Sequence, residues 1–295
     1  MALPPPGANQ AYCDVSTLEG GHIKLPKGLV LVCDDEDERH SFPASAFLLR
    51  HSVTRDPFLL DLGIRTDWTT KFTPSVLRII ETSPFQISVP EDVPTALAKG
   101  GLTPKDIKHI CITHIHFDHV GIPSDYPNAT FLVGEGAKAL MENGYPTNPN
   151  SAFEVDLFPA DRTRFLSGKE EWKPLGPFRH TLDFYGDGSL YIIDAPGHMP
   201  GHLMVLARSS ADGGWIFLAG DCAHDWKILN GEAEVGMHSR LGCLHKDMKA
   251  TEETMRATRE LLKQSRVKTI LSHDQPWYLE NQGGPQFWPG KVTSL

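Results

Sequence analysis

The stretch THIHFDHVG, Thr113 to Gly121, puts three histidines and an aspartate into six consecutive positions of a chain with 14 histidines in 295 residues. The run that leads into it, IKHICIT from Ile107 to Thr113, is short, apolar and rich in branched residues, which predicts a strand. Side chains alternate as a chain leaves a strand, so His114 and His116 can turn toward one ion. Asp118 and His119 follow on the turn, within reach of a second ion. Further donors stand at the ends of other predicted strands: His198 in DAPGHMPGH, Asp221 in LAGDCAHD and His273 in ILSHD. Strand ends that meet at one edge of a packed pair of sheets assemble a rigid site from distant residues.

Working outward, strands are predicted at residues 28–33 (GLVLVC), 45–51, 57–63, 129–134, 189–195, 203–208, 214–220 and 267–273, each a short apolar run bounded by turn residues. Helices are predicted at 75–82, 93–100, 134–144 and 249–265. In the last of these Met255, Leu261 and Leu262 share one stripe with charges opposite. Hairpins mixed with helices point to an α/β fold of packed sheets covered by helices. There is no internal repeat and no Gly/Ser linker, so residues 1–295 read as a single domain with an N-terminal extension of about residues 1–27. Residues 145–184 show no clear period, which predicts a functional lid or an insertion.

The totals exclude some partners. A net charge of -9 leaves no surplus of Lys and Arg for phosphates, so nucleic acid is not an expected substrate. The acidic run DDEDER, Asp34 to Arg39, reads as a solvated turn. No apolar run approaches eighteen residues, and MALPPPGANQ lacks a basic segment followed by an apolar one, so neither a membrane span nor a secretory leader is expected. Five widely spaced cysteines without a C-x-x-C pair fit reduced thiols in the cytoplasm.

Taken together and in this order, THIHFDH, PGHMPGH, the GD of FLAGD and the SHD near the C-terminus resemble the metallo-β-lactamase superfamily, over roughly residues 28–274. The resemblance implies an αββα four-layer sandwich with two divalent metal ions at one edge. It assigns His114, His116 and His198 to the first ion, Asp118, His119 and His273 to the second, and Asp221 as the bridge between them. Imidazole and carboxylate donors without thiolate suit Zn²⁺, and Mn, Fe or Co fit the same donors. A closed structural zinc uses four ligands, so seven donors exceed a structural need. His202 has no metal role in the family pattern and reads as a structural or supporting residue. Asp61 resembles the family's early aspartate, a carboxylate partner for a metal-bound histidine. The remaining histidines, His22, His40, His51, His109, His180, His238 and His245, are given no role, and Cys222 reads as a packing residue.

Two divalent ions lower the pKa of a shared water from about 15.7 toward roughly 7. The expected chemistry is therefore hydrolysis, with metal-bound hydroxide as nucleophile and Asp118 orienting it and carrying the proton to the leaving group. The motifs look most like the quorum-quenching lactonase branch, which opens cyclic esters. Many members of that branch carry a tyrosine three residues after the bridging aspartate, where this chain has His224. A histidine there can donate a hydrogen bond or protonate a nitrogen leaving group, which adds cyclic amides and carbamates, the lactams, to the lactones. Asp118 and His224 are thus the candidate catalytic residues. Phe117, Met199 and Trp226 are candidate pocket walls, and Tyr145, Phe153 and Phe158 candidate lid residues. The alternatives are a glyoxalase II-like thioesterase and a non-catalytic metal-binding protein. The expected partner is a small-molecule lactone or lactam, and a homodimer is compatible with the sequence.

Overall fold

His109–Ile112 forms a strand with a parallel neighbour on each side, and that central position explains why it is apolar after its first residue. In the computed structural model, which describes residues 2–167 and 171–295, this strand belongs to the first of two six-stranded sheets. The order across that sheet is β1 (Cys13–Leu18), β4 (Ala46–His51), β5 (Pro57–Leu60), β7 (His109–Ile112), β8 (Thr130–Gly134) and β9 (Thr163–Leu166). Its β1, β4 and β5 are antiparallel neighbours, and from β5 to β9 the strands run parallel. The second sheet runs β10 (Lys173–Leu175), β11 (Phe178–Asp183), β12 (Leu190–Asp194), β13 (Leu203–Arg208), β14 (Trp215–Leu218) and β15 (Val267–Ile270). It is an antiparallel meander up to β14, which pairs parallel with β15. A small sheet of β3 (Arg39–Pro43), β2 (His22–Pro26) and β6 (Gln86–Ser88) stands apart from both.

The period-2 alternation of each strand sorts its side chains into layers. Phe47, Leu49, Phe58 and Leu60 from the first sheet meet Ile192, Val205, Ile216 and Leu218 from the second in one buried cluster. The opposite faces carry Leu48, Leu59, Ile110 and Ile112 on one side and Ile193, Met204, Leu206 and Phe217 on the other. Helices cover both outer faces. The short α1 (Trp68–Lys71) and α2 (Pro74–Thr82) pack with Ile64 into a satellite cluster. Residues of α3 (Val93–Ala98) and α4 (Gly136–Glu142) cover the first sheet, and those of α5 (Trp226–Leu229) and α6 (Met248–Leu262) cover the second. The result is the expected αββα four-layer sandwich. Each fully buried Leu or Phe of these layers contributes about 2 kcal/mol through removal from water.

Local signals set the helix ends. Pro74 opens α2, where its missing N–H costs nothing, and Thr73 Oγ1 accepts from Val76 N. Asp247 caps α6 by accepting from Ala250 N at 3.0 Å, and Met255 and Leu261 are buried while Leu262 is half-buried. No helix among the described residues is long and apolar enough to cross a membrane.

Three expectations change. Residues 28–33 are not a strand: Lys27–Leu29 is a 3-10 turn, and Leu31 makes only an isolated bridge to Val235. Gly28 presses on the Glu36 backbone, and a Cβ there would lie 2.8 Å from Glu36 Cα, so the chain bends where its apolar residues suggested extension. Their burial comes instead from the packing of Leu29, Val30 and Leu31 against the second sheet's outer cluster. Residues 13–26, read as part of an extension, supply β1 and β2, and β1 is an edge of the first sheet. Residues 145–184 contain β9, β10 and β11, which are polar or Pro-containing edge and near-edge strands, so their pattern lacked an apolar run. Residues 168–170 of that section lie outside the described residues.

Candidate metal centre

The sheet directions decide where the donors go. Asp61 directly follows β5, Thr113 to His119 follow β7, His198 follows β12, Asp221 follows β14 and His273 follows β15, so the C-terminal ends of strands from both sheets share one edge. There His114 Nε2 lies 2.9 Å from His116 Nδ1 and 3.2 Å from His198 Nε2, and His198 Nε2 lies 3.0 Å from His116 Nδ1. Three ring nitrogens cannot all hydrogen-bond one another in a triangle, because each neutral ring has a single N–H. Three lone pairs converging at this spacing suit a cation, since tetrahedral Zn–N bonds of about 2.05 Å set ligands roughly 3.3 Å apart.

Asp221 Oδ2 is the hub. It lies 3.6 Å from His114 Nε2, 3.5 Å from His198 Nε2, 3.5 Å from His119 Nε2 and 3.3 Å from His273 Nε2. Asp118 completes a second group, with Oδ2 3.5 Å from His273 Nε2 and Oδ1 3.9 Å from His119 Nε2. All seven donors named from the sequence therefore meet at one place. His119 Nε2 and Asp221 Oδ1 are buried without a hydrogen-bond partner among the described residues, which a core tolerates poorly unless a cation takes the lone pairs.

A supporting layer fixes which nitrogen faces inward. His119 Nδ1 donates to Asp61 Oδ2 at 2.8 Å, and His273 Nδ1 donates to the Pro43 carbonyl at 2.7 Å, so each ring turns its Nε2 toward the centre. Thr113 donates its backbone N–H to Asp61 Oδ1 and its hydroxyl to Asp61 Oδ2, both at 2.7 Å, and its oxygen accepts from His114 Nδ1 at 3.1 Å. Asp61 does this from φ 61°, a left-handed conformation that aspartate tolerates better than most residues. His202, buried behind the centre, donates from Nδ1 to Ala195 O and accepts the Asp221 N–H at Nε2, each at 2.9 Å. It positions the hub's backbone, as a supporting residue would.

Electrostatics agree with the geometry. Burial and neighbouring imidazoles hold His114 and His198 well below the ordinary histidine range, and burial brings His116 down to about 4, so these rings keep their lone pairs at neutral pH. Burial pushes the Asp221 carboxyl up, but the rings of His273, His119 and His114 more than reverse it, leaving Asp221 well below the usual carboxylate range. Burial likewise disfavours charge on His119, yet Asp221, Asp61 and Asp118 raise it well above its usual value. Three carboxylates around mostly neutral rings call for positive charge, and the donor chemistry fits divalent ions of the zinc type.

A cavity of about 480 Å³ opens onto this edge, with His116, Asp118, His198, Asp221, His224 and His273 at its floor. Its walls are mainly apolar, among them Leu29, Phe42, Ile79, Phe85, Phe117 and Phe153. Of the aromatic candidates, Phe117 and Phe153 do line it. Met199 and Phe158 instead sit in the first sheet's outer core, Trp226 donates its indole N–H to Asp274 Oδ2 at 2.7 Å, and neither Trp226 nor Tyr145 reaches the cavity. Ile79 and Phe85 were not legible as wall residues, because only the docking of 74–88 against the small sheet brings them there. His224 lines the cavity with Nε2 3.2 Å from Asp221 Oδ2, closer than any of the four other histidines around that oxygen. Cys222 is buried, and burial pushes its thiol up to about 12, in keeping with packing rather than nucleophilic chemistry.

The residue the sequence missed is His245, which packs between His198 and His224 with ring centroids 5.1 and 5.0 Å away. It sits in CLHKDM, away from any strand end and without motif spacing, so nothing local marked it. The other unassigned histidines have ordinary partners where these are close, such as His51 with Asp187 at 2.9 Å and His109 with Asp56 at 3.1 Å.

Comparison with known proteins places this geometry in a family. The sequence profile of the Metallo-beta-lactamase superfamily matches residues 41–217. Metallo-hydrolase mfmC of Annulohypoxylon moriforme is 35% identical over 193 residues, 63% of this chain and 50% of that protein. Gamma-lactamase FDB1 of Fusarium pseudograminearum is 34% identical over 186 residues, 61% of this chain and 45% of its own length. The chain thus spans about half the length of these curated relatives. A solved N-acyl homoserine lactone hydrolase superposes with a TM-score of 0.71 at 15% identity, covering 95% of this chain and 98% of the other. Sharing that fold over nearly its whole length, and the family's sequence pattern over most of it, the chain belongs to the metallo-β-lactamase superfamily.

Proposed function

We propose that this protein is a binuclear metal-dependent hydrolase that opens a cyclic ester or a related cyclic amide or carbamate. The observation that carries the reading is the gathering of seven donors, with the Nε2 atoms of His114, His119, His198 and His273 around Asp221 Oδ2, at the floor of a largely apolar cavity. His114, His116 and His198 would hold one ion, Asp118, His119 and His273 the other, with Asp221 between them. Two divalent ions of the zinc type there would supply Lewis acidity toward a carbonyl oxygen and acidify a water toward neutral pH.

The chain's own groups complete the chemistry. Phe117, Phe153 and Phe42 bury the substrate's ring and exclude bulk water, so the polar floor acts in a low-dielectric setting. Asp118 lines the cavity and can accept the proton of the attacking water. His224 offers a ring nitrogen beside Asp221, where an N–H can be given to the departing oxygen or nitrogen. Water's oxygen joins the carbonyl carbon, the ring C–O or C–N bond breaks, and the proton ends on the released heteroatom. A lactone or lactam gives a carboxylate and a hydroxyl or amine on one opened molecule; a cyclic carbamate gives a carbonate monoester and an amine, or a carbamate and a hydroxyl, which then loses CO₂.

The motif likeness to the lactonase branch supports the ester, and the relationship to a protein named Gamma-lactamase supports the amide. The test is turnover of an acyl-homoserine lactone, an aryl γ-lactone, a benzoxazolinone-type carbamate and a glutathione thioester by zinc-loaded protein, with a chelator control. Chelator-sensitive opening of a lactone or the carbamate is the expected result. Turnover of the thioester alone, or no hydrolysis that alanine at His116 or Asp221 abolishes, would overturn the reading.

A further inference from the structure

His198, His224 and His245 form a second triangle of imidazoles that shares His198 with the first. Their ring centroids are 5.0 Å apart for His198 and His224, 5.1 Å for His198 and His245, and 5.0 Å for His224 and His245. The first triangle, His114, His116 and His198, has separations of 4.6, 4.6 and 4.8 Å. One ring nitrogen from each member of the second triangle lies within 4.8 Å of the others.

The second triangle also holds ring nitrogens without partners. His198 uses Nε2 toward His114 and His116, and its Nδ1 is buried without a hydrogen-bond partner among the described residues. His224 uses Nε2 toward Asp221, and its Nδ1 is buried in the same condition. Both ring nitrogens of His245 are buried and unpartnered, and the residue is 4% exposed. A neutral imidazole buried with neither nitrogen bonded forfeits a donor and an acceptor, a cost that needs a compensating ligand. The backbone holds His245 in place, since Lys246 N donates to the carbonyls of Gly197 and His198 and Asp247 N to that of Gly197. This strap ties the His245 ring to the loop that carries His198.

We propose that His198, His224 and His245 form a third cation site, for a borderline transition-metal ion such as Zn²⁺ or Cu²⁺, adjacent to the binuclear centre. Three imidazoles and no thiolate define that class of ion. His198 would serve both triangles as an imidazolate, its Nδ1 proton passing to solvent when the third ion binds. An ion on His224 Nδ1 leaves the proton of that ring on Nε2, the atom facing Asp221 and the cavity. The site therefore goes beyond the binuclear reading while fixing the orientation of a residue that reading uses.

The test counts ions. Full-length wild type and His245→Phe are loaded with excess zinc, freed of loose metal by gel filtration, and analysed by elemental mass spectrometry. The expected result is one ion fewer per chain in the variant, from three to two. Equal counts, or a wild type that saturates at two, would mean that water fills the triangle, and the proposal falls. Should the variant not fold, histidine ¹⁵N spectra of wild type decide instead: a third equivalent that shifts His245 and His224 Nδ1 supports the site, and one that leaves them unmoved overturns it. A protein that holds two ions and opens lactones would lose the third site alone, whereas one that holds fewer than two would also lose the binuclear reading.

Discussion

His119 Nδ1 donates to Asp61 Oδ2 at 2.8 Å, so a side chain at the end of one strand orients a donor that follows the next strand in the sheet. The same carboxylate takes two hydrogen bonds from Thr113, and through Thr113 it also reaches His114. Replacing Asp61 with Asn keeps the size and the tolerance of φ 61° but removes the negative charge. Loss of such a supporting partner typically costs 10- to 100-fold in metal affinity. Zinc competition against a chromophoric chelator should show weakening of about that size for Asp61→Asn. Unchanged affinity would mean the donors orient themselves without Asp61.

His224 is the position at which this chain departs from the lactonase pattern, and its ring lines the cavity with Nε2 3.2 Å from Asp221 Oδ2. An amine leaves a tetrahedral carbon far less readily than an alkoxide unless it is protonated, so loss of the donor should hurt amides and carbamates most. His224→Phe keeps an aromatic ring without the N–H. We expect kcat to fall about 100-fold for a cyclic carbamate and less than about 10-fold for an activated lactone. Equal losses on both substrates would make His224 a structural residue instead.

The parts of the fold that could be read from sequence are those whose signals are local. HICI, FLLD and LMVLAR are buried on both faces, so their apolar runs show as strands without any partner in view. All seven donors either crowd into THIHFDH or follow a strand with a turn glycine or serine beside them, and that proximity is what made the centre legible. β1, with Ser16 and Thr17 in its interior, and β11, with Arg179 and His180, owe their pairing to a neighbour strand rather than to their own pattern. His245 is held beside His198 and His224 by the strap from Lys246 to the Gly197 carbonyl, a tertiary contact with no trace in residue spacing.

His202 yields a prediction about pH. Burial lowers its imidazole to about 4 from an ordinary 6.5, so between those values the unfolded chain binds a proton there that the native chain refuses. Native stability therefore falls as pH drops through that window, and the contribution is intact above about 6.5. His202→Gln removes this penalty together with the bonds to Ala195 O and Asp221 N. In urea titrations of metal-free protein the variant should be less stable at pH 7.5 by about 1–3 kcal/mol. The gap should narrow by about 2–3 kcal/mol at pH 4.5. A constant gap would show that His202 is protonated in the native state.

Gly220 sits between the hub and the residue that positions it. Its φ is +54°, and a Cβ there would lie 2.6 Å from His202 Nε2, the atom that accepts the Asp221 N–H. Gly220→Ala should therefore pay twice: about 1–2 kcal/mol for a side chain in a left-handed conformation, and more for pushing His202 off Asp221. Gly231 is the matching control, since its φ is +75° and a Cβ there meets nothing within 4 Å. Gly231→Ala should cost only the backbone part and leave zinc affinity alone, whereas Gly220→Ala should lose more stability and bind zinc more weakly. If the two variants unfold at the same urea concentration and bind zinc alike, the contact between Gly220 and His202 does not hold Asp221 in place, and the burden of positioning it shifts to the imidazoles of His273 and His119 that surround its carboxylate.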